Sequence, residues 1–389
     1  MAETLAIEGG PPVITEPFPA WPIWDDREIK LVENVIRSGV WGIGATAIEE
    51  FAQKFADFQH VKYAWPVANG TLAIELAIAA LNIGPGDEVI VPDYTFMATA
   101  AAPMRLGVTP VLVDVDPNTF CIDPQLVEEA ITETTRAIIP VHFGGLPCDM
   151  PAIIDIATRH NLYVIEDSAH AHGAILDNQY VGTFGQIGTF SLQASKTLNA
   201  GEGGVVVTND QRLFEIMKSI QNTGRSGGID DYHHYLCGSN LRIGALQAAL
   251  LLGQMDRLEQ QTDTRDRNGQ VLDTLLDDIE GVRIQIRSPN VQRQGHYLYT
   301  FILEADVPRD AFRDALGKEG VPVETEYPAV HTLEFITKCD LGNGSFPVSD
   351  ELAERSIWLE QRSMLGSEQQ VSLIAKAVKK ILNNQSALR

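Results

Sequence analysis

The chain has 389 residues, of which 44% are hydrophobic and 21% are charged, so more than one buried core can be built from it. Its formal net charge of −23 argues against general nucleic-acid binding, because a phosphate backbone would be repelled. No stretch approaches the ~20 apolar residues of a membrane span, and residues 1–10 lack the pattern of a signal peptide. We therefore expect a cytoplasmic protein without membrane or nucleic-acid partners.

The cysteines also indicate an intracellular chain. All four are far apart and form neither a Cys-x-x-Cys pair nor another metal-type spacing. They lie at Cys121, Cys148, Cys237 and Cys339. We expect reduced thiols rather than disulfides, and no metal site.

Apolar runs of strand length alternate with helical patterns through the first two-thirds of the chain. The strand-like runs are residues 63–67, 88–92, 110–115, 136–141, 162–167, 187–192 and 204–208, and helical stretches between them include residues 69–81 and 150–160. Strands that alternate with helices predict an α/β domain with a mainly parallel seven-stranded sheet sandwiched by helices.

The last third of the chain has a different pattern. A helical stretch runs from about residue 241 to about residue 258, and Arg and Asp then become frequent. A strand candidate follows at residues 297–304, and an amphipathic helix at residues 368–382 closes the chain. We predict a large domain with an N-terminal arm over residues 1–255 and a smaller α+β domain over residues 256–389.

Ligands of open α/β sheets bind beyond the carboxyl ends of the strands, so the residues that follow each run are candidates for chemistry. Asp167 ends the run at residues 162–167, where an acid could pair with a ligand cation or cap a following helix. Lys196 follows the run at residues 187–192 within a loop of small residues. Burial there would leave a neutral amine able to attack a carbonyl, although most lysines are simply solvated.

The segment Asn69-Gly70-Thr71 opens a predicted helix directly after a strand-like run. A helix start with a hydroxyl beside it can hold an anion, although Asn69 could equally be a plain helix cap. The chain has no Gly-x-Gly-x-x-Gly after a strand and no Gly-x-x-x-x-Gly-Lys-Ser/Thr, which disfavours a nicotinamide or nucleoside-triphosphate site.

Six motif segments follow one another along the chain. They are Asn69-Gly70-Thr71, Pro92-x-x-Thr95-Phe96-x-Ala98-Thr99, Ile139-Pro140-Val141-His142, Glu166-Asp167-Ser168-Ala169-His170-Ala171-His172-Gly173, the stretch 191–196 with Gly201-Glu202-Gly203-Gly204, and Gly238-Ser239-Asn240-Leu241-Arg242. In this order they resemble the DegT/StrS-type sugar aminotransferases, a family of fold-type I pyridoxal-phosphate enzymes. The resemblance runs from about Pro19 to the C-terminal helix.

The resemblance implies a pyridoxal 5'-phosphate cofactor and assigns residues to its ring. Lys196 occupies the position of the lysine that forms the Schiff base, and Asp167 that of the carboxylate paired with the pyridine nitrogen. His170 stands where the family has Gln or His near the ring hydroxyl. Phe96 matches the aromatic residue that stacks on the ring. The implied reaction is a ping-pong transfer of an amino group.

The resemblance also implies how the cofactor phosphate is bound. Thr71, the backbone of Leu72 and Ser191 match phosphate contacts of the family. Asn240 matches a phosphate ligand donated by the neighbouring subunit, which implies a homodimer with composite active sites. His331 matches a family position near the substrate, although it could equally be an ordinary polar residue.

The motifs narrow the substrate without choosing it. The entry Phe18-Pro19-Ala20-Trp21-Pro22 and the Gly238-Ser239-Asn240 segment resemble the branch of glutamine:scyllo-inosose aminotransferases, which aminate keto-cyclitols. The 3-amino-5-hydroxybenzoate synthases share these segments, and other family members act on nucleotide-linked keto sugars. We expect glutamine or glutamate as the amino donor, and leave the dehydrating or aromatising reaction and the nucleotide-sugar reaction open as alternatives.

Overall fold

The computed structural model describes residues 3–225 and 232–388. Its largest sheet has seven strands in the order β1-β9-β8-β5-β4-β2-β3. These strands are β1 (Tyr63–Val67), β2 (Glu88–Pro92), β3 (Thr109–Val113), β4 (Thr135–Ile138), β5 (Tyr163–Asp167), β8 (Ile187–Ser191) and β9 (Gly204–Thr208), and a short hairpin, β6 (Ile175–Leu176) and β7 (Gln179–Tyr180), lies between β5 and β8. The strands from β3 across to β8 pair in parallel, whereas β9 is antiparallel to both of its neighbours. The predicted mainly parallel sheet is therefore confirmed.

Helices cover both faces of this sheet. The helices before residue 240 are α1 (Asp26–Ser38), α2 (Thr46–Gln59), α3 (Gly70–Ala80), α4 (Ala98–Arg105), α5 (Pro124–Glu129), α6 (Met150–His160) and α7 (Gln211–Gln221). Apolar residues of α3, α4 and α7 share one core with the sheet, while α5 and α6 share another core on its opposite face. Val89 and Val91 point into the first core and Ile90 into the second, as the alternation of a strand requires.

The C-terminal part has its own antiparallel sheet, in the order β10-β12-β14-β13. Its elements are β10 (Val282–Ile284), β12 (Leu298–Leu303), α9 (Arg309–Lys318), β13 (Val323–Glu324), α10 (Glu334–Thr337), α11 (Pro347–Arg355), β14 (Ser356–Glu360) and α12 (Glu368–Leu382), with β11 (Val291–Arg293) pairing with β6. Helix α12 begins where Ser367 and Gln370 form a capping box, and it buries Ile374, Val378 and Ile381. Its predicted bounds are confirmed.

One long helix, α8 (Ala245–Asp277), connects the two parts. The sequence indicated a helix that ended near residue 258, because Arg and Asp are frequent beyond it. The structure continues the helix, and some of these polar side chains find hydrogen-bond partners inside the protein. Arg265 donates two hydrogen bonds to Gln361, and Asp266 accepts from Arg287. The predicted boundary at residue 255 thus lies within a continuous helix.

Over residues 3–225 and 232–388, no helix is both long and apolar enough to cross a membrane. The strand bounds differ from the predicted ones by a few residues at most, as at β3, which was predicted as 110–115. The ends of β5 and β8 and the start of α3 meet at one edge of the large sheet, and the carboxyl side of that edge is where a ligand is expected.

Candidate active site

A cavity of about 690 Å³ opens at the carboxyl ends of the central strands. It brings together residues from five of the six motif segments. Its lining includes Thr71, Leu72, Phe96, Asp167, His170, Ser191 and Lys196, which are seven of the nine residues that the sequence nominated. The two others, Asn240 and His331, are absent from this lining in the part of the chain that the structure describes.

Asp167 is the last residue of β5, and its carboxylate faces the cavity from a buried position. It accepts a hydrogen bond from the Thr99 hydroxyl at 2.9 Å and another from the backbone N–H of Ala169 at 3.2 Å. Burial raises the pKa of Asp167 above its ordinary value, while these donors and the nearby Lys196 act in the opposite direction. The carboxylate therefore lies where a cationic ring partner would relieve its desolvation.

The alternative interpretation of Asp167 as the cap of a following helix is wrong. The segment that follows β5 consists of turns, and the next regular elements are β6 and β7. The Asp167 carboxylate supports one of these turns through Ala169. Its other oxygen is held by α4, which comes from a different region of the sequence.

Lys196 lies in the turn that follows β8, and only 8% of its surface is exposed. Burial lowers the pKa of its amine to about 7, and the opposing effect of Asp167 is smaller. The amine nitrogen lies 3.8 Å from the centre of the Tyr297 ring. A large fraction of Lys196 is consequently uncharged near neutral pH, as a nucleophile toward an aldehyde must be.

His170 follows β5 and packs beside the same tyrosine, with ring centres 4.3 Å apart. Burial holds the pKa of His170 well below its usual value, so the ring is neutral. Its Nδ1 atom is buried and has no hydrogen-bond partner among the described residues. An orphaned ring nitrogen at a cavity wall is available to a ligand hydroxyl.

The start of α3 and the end of β8 form another part of the cavity wall. Asn69 caps α3 by accepting a hydrogen bond from the backbone N–H of Leu72 at 2.9 Å, and this cap does not exclude an anion beside the other residues at the helix start. A side chain at Gly70 would lie 2.8 Å from the Cβ atom of Ser191, which shows how closely the helix start approaches β8. Thr71 and Ser191 thereby face the same space.

Phe96 lies at the rim of the cavity and remains 47% exposed, which is unusual for a phenylalanine in a packed protein. Its ring centre is 5.4 Å from that of Tyr327, and the ring otherwise faces the open space. An exposed aromatic face at a cavity is suited to stacking on a planar ligand.

Asn240 and His331 have different surroundings. Asn240 is exposed, pairs with Asn222 through an isolated backbone bridge, and is not part of the cavity lining. His331 is held by Asp93, whose carboxylate lies 2.7 Å from its Nδ1 atom, and it stacks on Phe346. The structure thus holds His331 beside the end of β2 and places Asn240 at the exposed surface, outside the cavity lining.

The profile of the DegT/DnrJ/EryC1/StrS aminotransferase family matches residues 22–379. The chain belongs to this family. It is 36% identical to the L-glutamine:2-deoxy-scyllo-inosose aminotransferase of Streptoalloteichus tenebrarius, with 99% of each chain covered. It is 34% identical to the 3-amino-5-hydroxybenzoate synthase of Amycolatopsis mediterranei, with 93% of this chain and 96% of the relative covered.

A solved structure of 3-amino-5-hydroxybenzoic acid synthase superimposes with a TM-score of 0.90 at 34% identity, covering 94% of this chain and 99% of the other. The chain is therefore a pyridoxal-phosphate-dependent aminotransferase with the α/β fold of the fold-type I enzymes. The predicted family, fold and cofactor are confirmed.

The residues of this aminotransferase fit pyridoxal phosphate. The group needs an uncharged amine for its aldehyde, an acid for its ring nitrogen, a partner for its ring hydroxyl and an anion site for its phosphate. Lys196, Asp167 and the orphaned Nδ1 atom of His170 line one cavity and match the first three needs. The start of α3 provides the fourth, because a helix N-terminus favours a negative charge.

Two residues of the cavity lining, and one residue buried beside it, were given no role from the sequence. Tyr297 and Tyr327 come from the C-terminal part of the chain and pack against Lys196, His170 and Phe96. The motif that contains Thr99 was recognised, but no role was assigned to this residue. Residues 297 and 196 come into contact only in the folded chain, and no local sequence pattern predicts that contact.

Proposed function

We propose that this aminotransferase moves the amino group of glutamine or glutamate to a keto-cyclitol in two half-reactions that share one site. The observation that carries the proposal is the buried, largely uncharged amine of Lys196, in the same cavity as the Asp167 carboxylate and the orphaned nitrogen of His170. No simple binding role requires these three groups together.

Pyridoxal phosphate, when bound, supplies an aldehyde for amine exchange and an electron-poor ring that accepts electrons from the amino carbon. With the cofactor bound, Lys196 would be the residue that holds its aldehyde covalently, and its Nζ atom, once released, would carry a proton to and from the reacting carbon. The low pKa of Lys196, about 7, suits both tasks at neutral pH.

Asp167 would keep a proton on the ring nitrogen, since a buried carboxylate favours a cation beside it. His170 would bond the ring hydroxyl through Nδ1, and Phe96 would cover one face of the ring. Thr71, the backbone at Leu72 and Ser191 would bind the phosphate at the start of α3. These assignments rest on the shared cavity and on the residue types present at each place.

We further propose a homodimer in which Asn240 completes the partner's phosphate site. Two observations support this proposal: Asn240 is exposed and does not line its own cavity, and its amide can donate a hydrogen bond to a phosphate oxygen. A cytoplasmic location is supported by the four cysteines, each of which is free.

A keto-cyclitol acceptor is supported by the relatives, since that of Streptoalloteichus tenebrarius is named for 2-deoxy-scyllo-inosose and aligns over 99% of both chains. The alternative is a dehydrating and aromatising reaction like that of the synthase from Amycolatopsis mediterranei, which matches at 34% identity. A nucleotide-linked keto sugar is the third class of acceptor. All three use the same lysine, acid and phosphate site.

The test incubates the purified holoenzyme with glutamine or glutamate and a panel of scyllo-inosose-type ketones and nucleotide keto sugars. An aminated product together with a 2-oxo acid supports transfer, whereas an aromatic or dehydrated product supports the alternative. Lys196→Ala should abolish turnover and the mass increase left by borohydride reduction of the bound cofactor. Lys338→Ala, at a solvated lysine paired with Glu334, is the matched control and should change neither. Turnover retained in Lys196→Ala would refute the proposal.

A further inference from the structure

Two buried threonines lie close to Asp167. Thr95 and Thr99 belong to the motif that supplies Phe96, and both hydroxyls are enclosed. The Thr99 Oγ1 atom is 2.9 Å from Oδ2 of Asp167, and the Thr95 Oγ1 atom is 3.2 Å from that of Thr99. The hydroxyls and the carboxylate therefore form one short chain.

The hydroxyl of Thr99 has a single proton and three acceptors within reach. The Asp167 oxygen is at 2.9 Å, Oγ1 of Thr95 is at 3.2 Å, and the backbone carbonyl of Phe96 is at 3.3 Å. Hydrogen bonds to an ionised oxygen are shorter and about twice as strong as neutral ones, so the proton is directed to Asp167. Oγ1 of Thr99 can then accept from Thr95, which orients the donor.

The groups that face Asp167 come from three places in the chain. Thr99 on α4 and the backbone N–H of Ala169 donate hydrogen bonds to it, and Lys196 acts through its charged form. Ala169 supports Oδ1, the oxygen that Thr99 does not contact. Thr99 is thus the side-chain hydroxyl that controls how basic Oδ2 is.

We propose that Thr99 is a positioning residue whose hydroxyl holds Asp167 in its ionised form, so that the proton shared with the cofactor stays on the ring nitrogen. The inference rests on the proposed roles of Asp167 and Lys196. An acid that accepts a second hydrogen bond is a weaker base, and the proton moves toward the partner with the higher affinity for it. Thr95 acts one step further away, by directing the hydroxyl of Thr99.

The experiment compares the wild type with Thr99→Val, Thr99→Ser and Thr95→Val, each loaded with pyridoxal phosphate labelled with ¹⁵N in the ring. The chemical shift of the nitrogen reports directly whether it carries the proton. Cofactor dissociation constants and kcat are measured beside it, and thermal unfolding of each holoenzyme checks the fold.

We expect a protonated ring nitrogen in the wild type and in Thr99→Ser, because serine retains the hydroxyl. In Thr99→Val the shift should move toward the unprotonated position, with kcat lower by about tenfold and the cofactor bound about tenfold more weakly, which is the scale of one charged hydrogen bond. KM for the amino donor should change by less than about twofold, since the hydroxyl is remote from substrate. Thr95→Val should move the ¹⁵N chemical shift in the same direction as Thr99→Val, but by a smaller amount.

An unchanged nitrogen shift in a folded Thr99→Val would overturn the inference even if activity fell, since a purely structural role would not move the proton. If Thr99→Val does not fold, the ¹⁵N chemical shift of the ring nitrogen in Thr95→Val becomes the test. A chemical shift equal to that of the wild type would then contradict the inference. A wild-type holoenzyme without a bound-cofactor signal would instead refute the proposed function, so that the two failures are distinguishable.

Discussion

Glu166 and Asp167 are neighbours at the end of β5, yet their carboxylates have opposite surroundings. Glu166 faces away from the cavity and accepts hydrogen bonds from the backbone N–H groups of Gly182, Phe184 and Gly185, each at 2.7 Å. His142 contributes a fourth contact at 3.2 Å. Asp167 faces the cavity with two donors and an open side.

The difference shows that adjacent residues at one strand end can have separate roles, one in stabilising the fold and one at the candidate active site. Side chains alternate along a strand, so consecutive acids must point to opposite faces of the sheet. Glu166, with four donors, has no capacity left for a ligand and instead ties β5 to the loop before β8. Asp167 retains acceptor capacity, and its neighbour fixes the strand from which it projects.

The largest effect that separates the two acids is expected from Asp167→Asn. The amide cannot stabilise a protonated ring nitrogen, so we expect kcat to fall by about a thousandfold or more, on the scale of electrostatic stabilisation lost from an active site. The thermal midpoint should change little, because the new side chain can keep its contacts with Thr99 and Ala169. Steady-state kinetics and calorimetry check both statements.

An Asp167→Asn enzyme with turnover within tenfold of the wild type would contradict the assigned roles. The matched variant is Glu166→Gln, which makes the same chemical change one residue away. Because both variants lose one negative charge from β5, a difference between them cannot be a general effect of that loss.

The second prediction concerns the pH dependence of cofactor uptake. Only the neutral amine of Lys196 attacks an aldehyde, so the rate at which apoenzyme recombines with pyridoxal phosphate should rise about tenfold per pH unit below the pKa, about 7, and level off above it. In Asp167→Asn the curve should shift to lower pH, since Asp167 favours the charged amine. Glu166→Gln should leave it in place. Stopped-flow absorbance measures the rates, and equal shifts in both variants would contradict the comparison.

A smaller effect, on stability, is expected from Glu166→Gln. The new amide group would face backbone N–H donors that now point at a carboxylate oxygen, which costs about 2 kcal/mol. The thermal midpoint should fall by several degrees, while kcat of the folded enzyme stays within about threefold of the wild type. A large loss of kcat without loss of stability would show that Glu166 also belongs to the chemistry.

The smallest effect is expected from His142→Asn. Because Nδ1 of His142 accepts the backbone N–H of Cys148 at 3.1 Å, its Nε2 atom carries the proton given to Glu166. Asparagine can replace the first contact but not the second, so we expect a loss of about 1 kcal/mol, measured by chemical unfolding. A loss equal to that of Glu166→Gln would mean that the histidine, and not the three N–H groups, anchors the acid.

The sequence predicted the large sheet and the position of the candidate site well, because both depend on local patterns. Each strand of the sheet is a short apolar run; Asp167 ends one of these strands and Lys196 lies in the turn after another. The contact between Lys196 and Tyr297 could not be predicted, since it joins residues about a hundred positions apart through tertiary packing. The domain division also remains a prediction, because the helix that spans residue 255 is continuous.

The different roles of neighbouring motif residues could not be predicted from the sequence either. Glu166 and Asp167 are chemically alike, and strand alternation says only that they face opposite sides. Which side holds the cavity depends on where α3 and α4 pack. Thr99 illustrates the same limit, since its hydrogen bond to Asp167 spans two separate elements.

The 33 residues of α8 form one continuous helix that connects the two parts of the chain. Its first half packs on α1 and α2, and its second half packs on α12 and β10. Bending it near residue 255 would break consecutive backbone hydrogen bonds and expose packed side chains on both sides. The two sheets are thereby held at a fixed separation, which keeps Tyr297, next to one of them, in the cavity beside the Lys196 turn that follows the other.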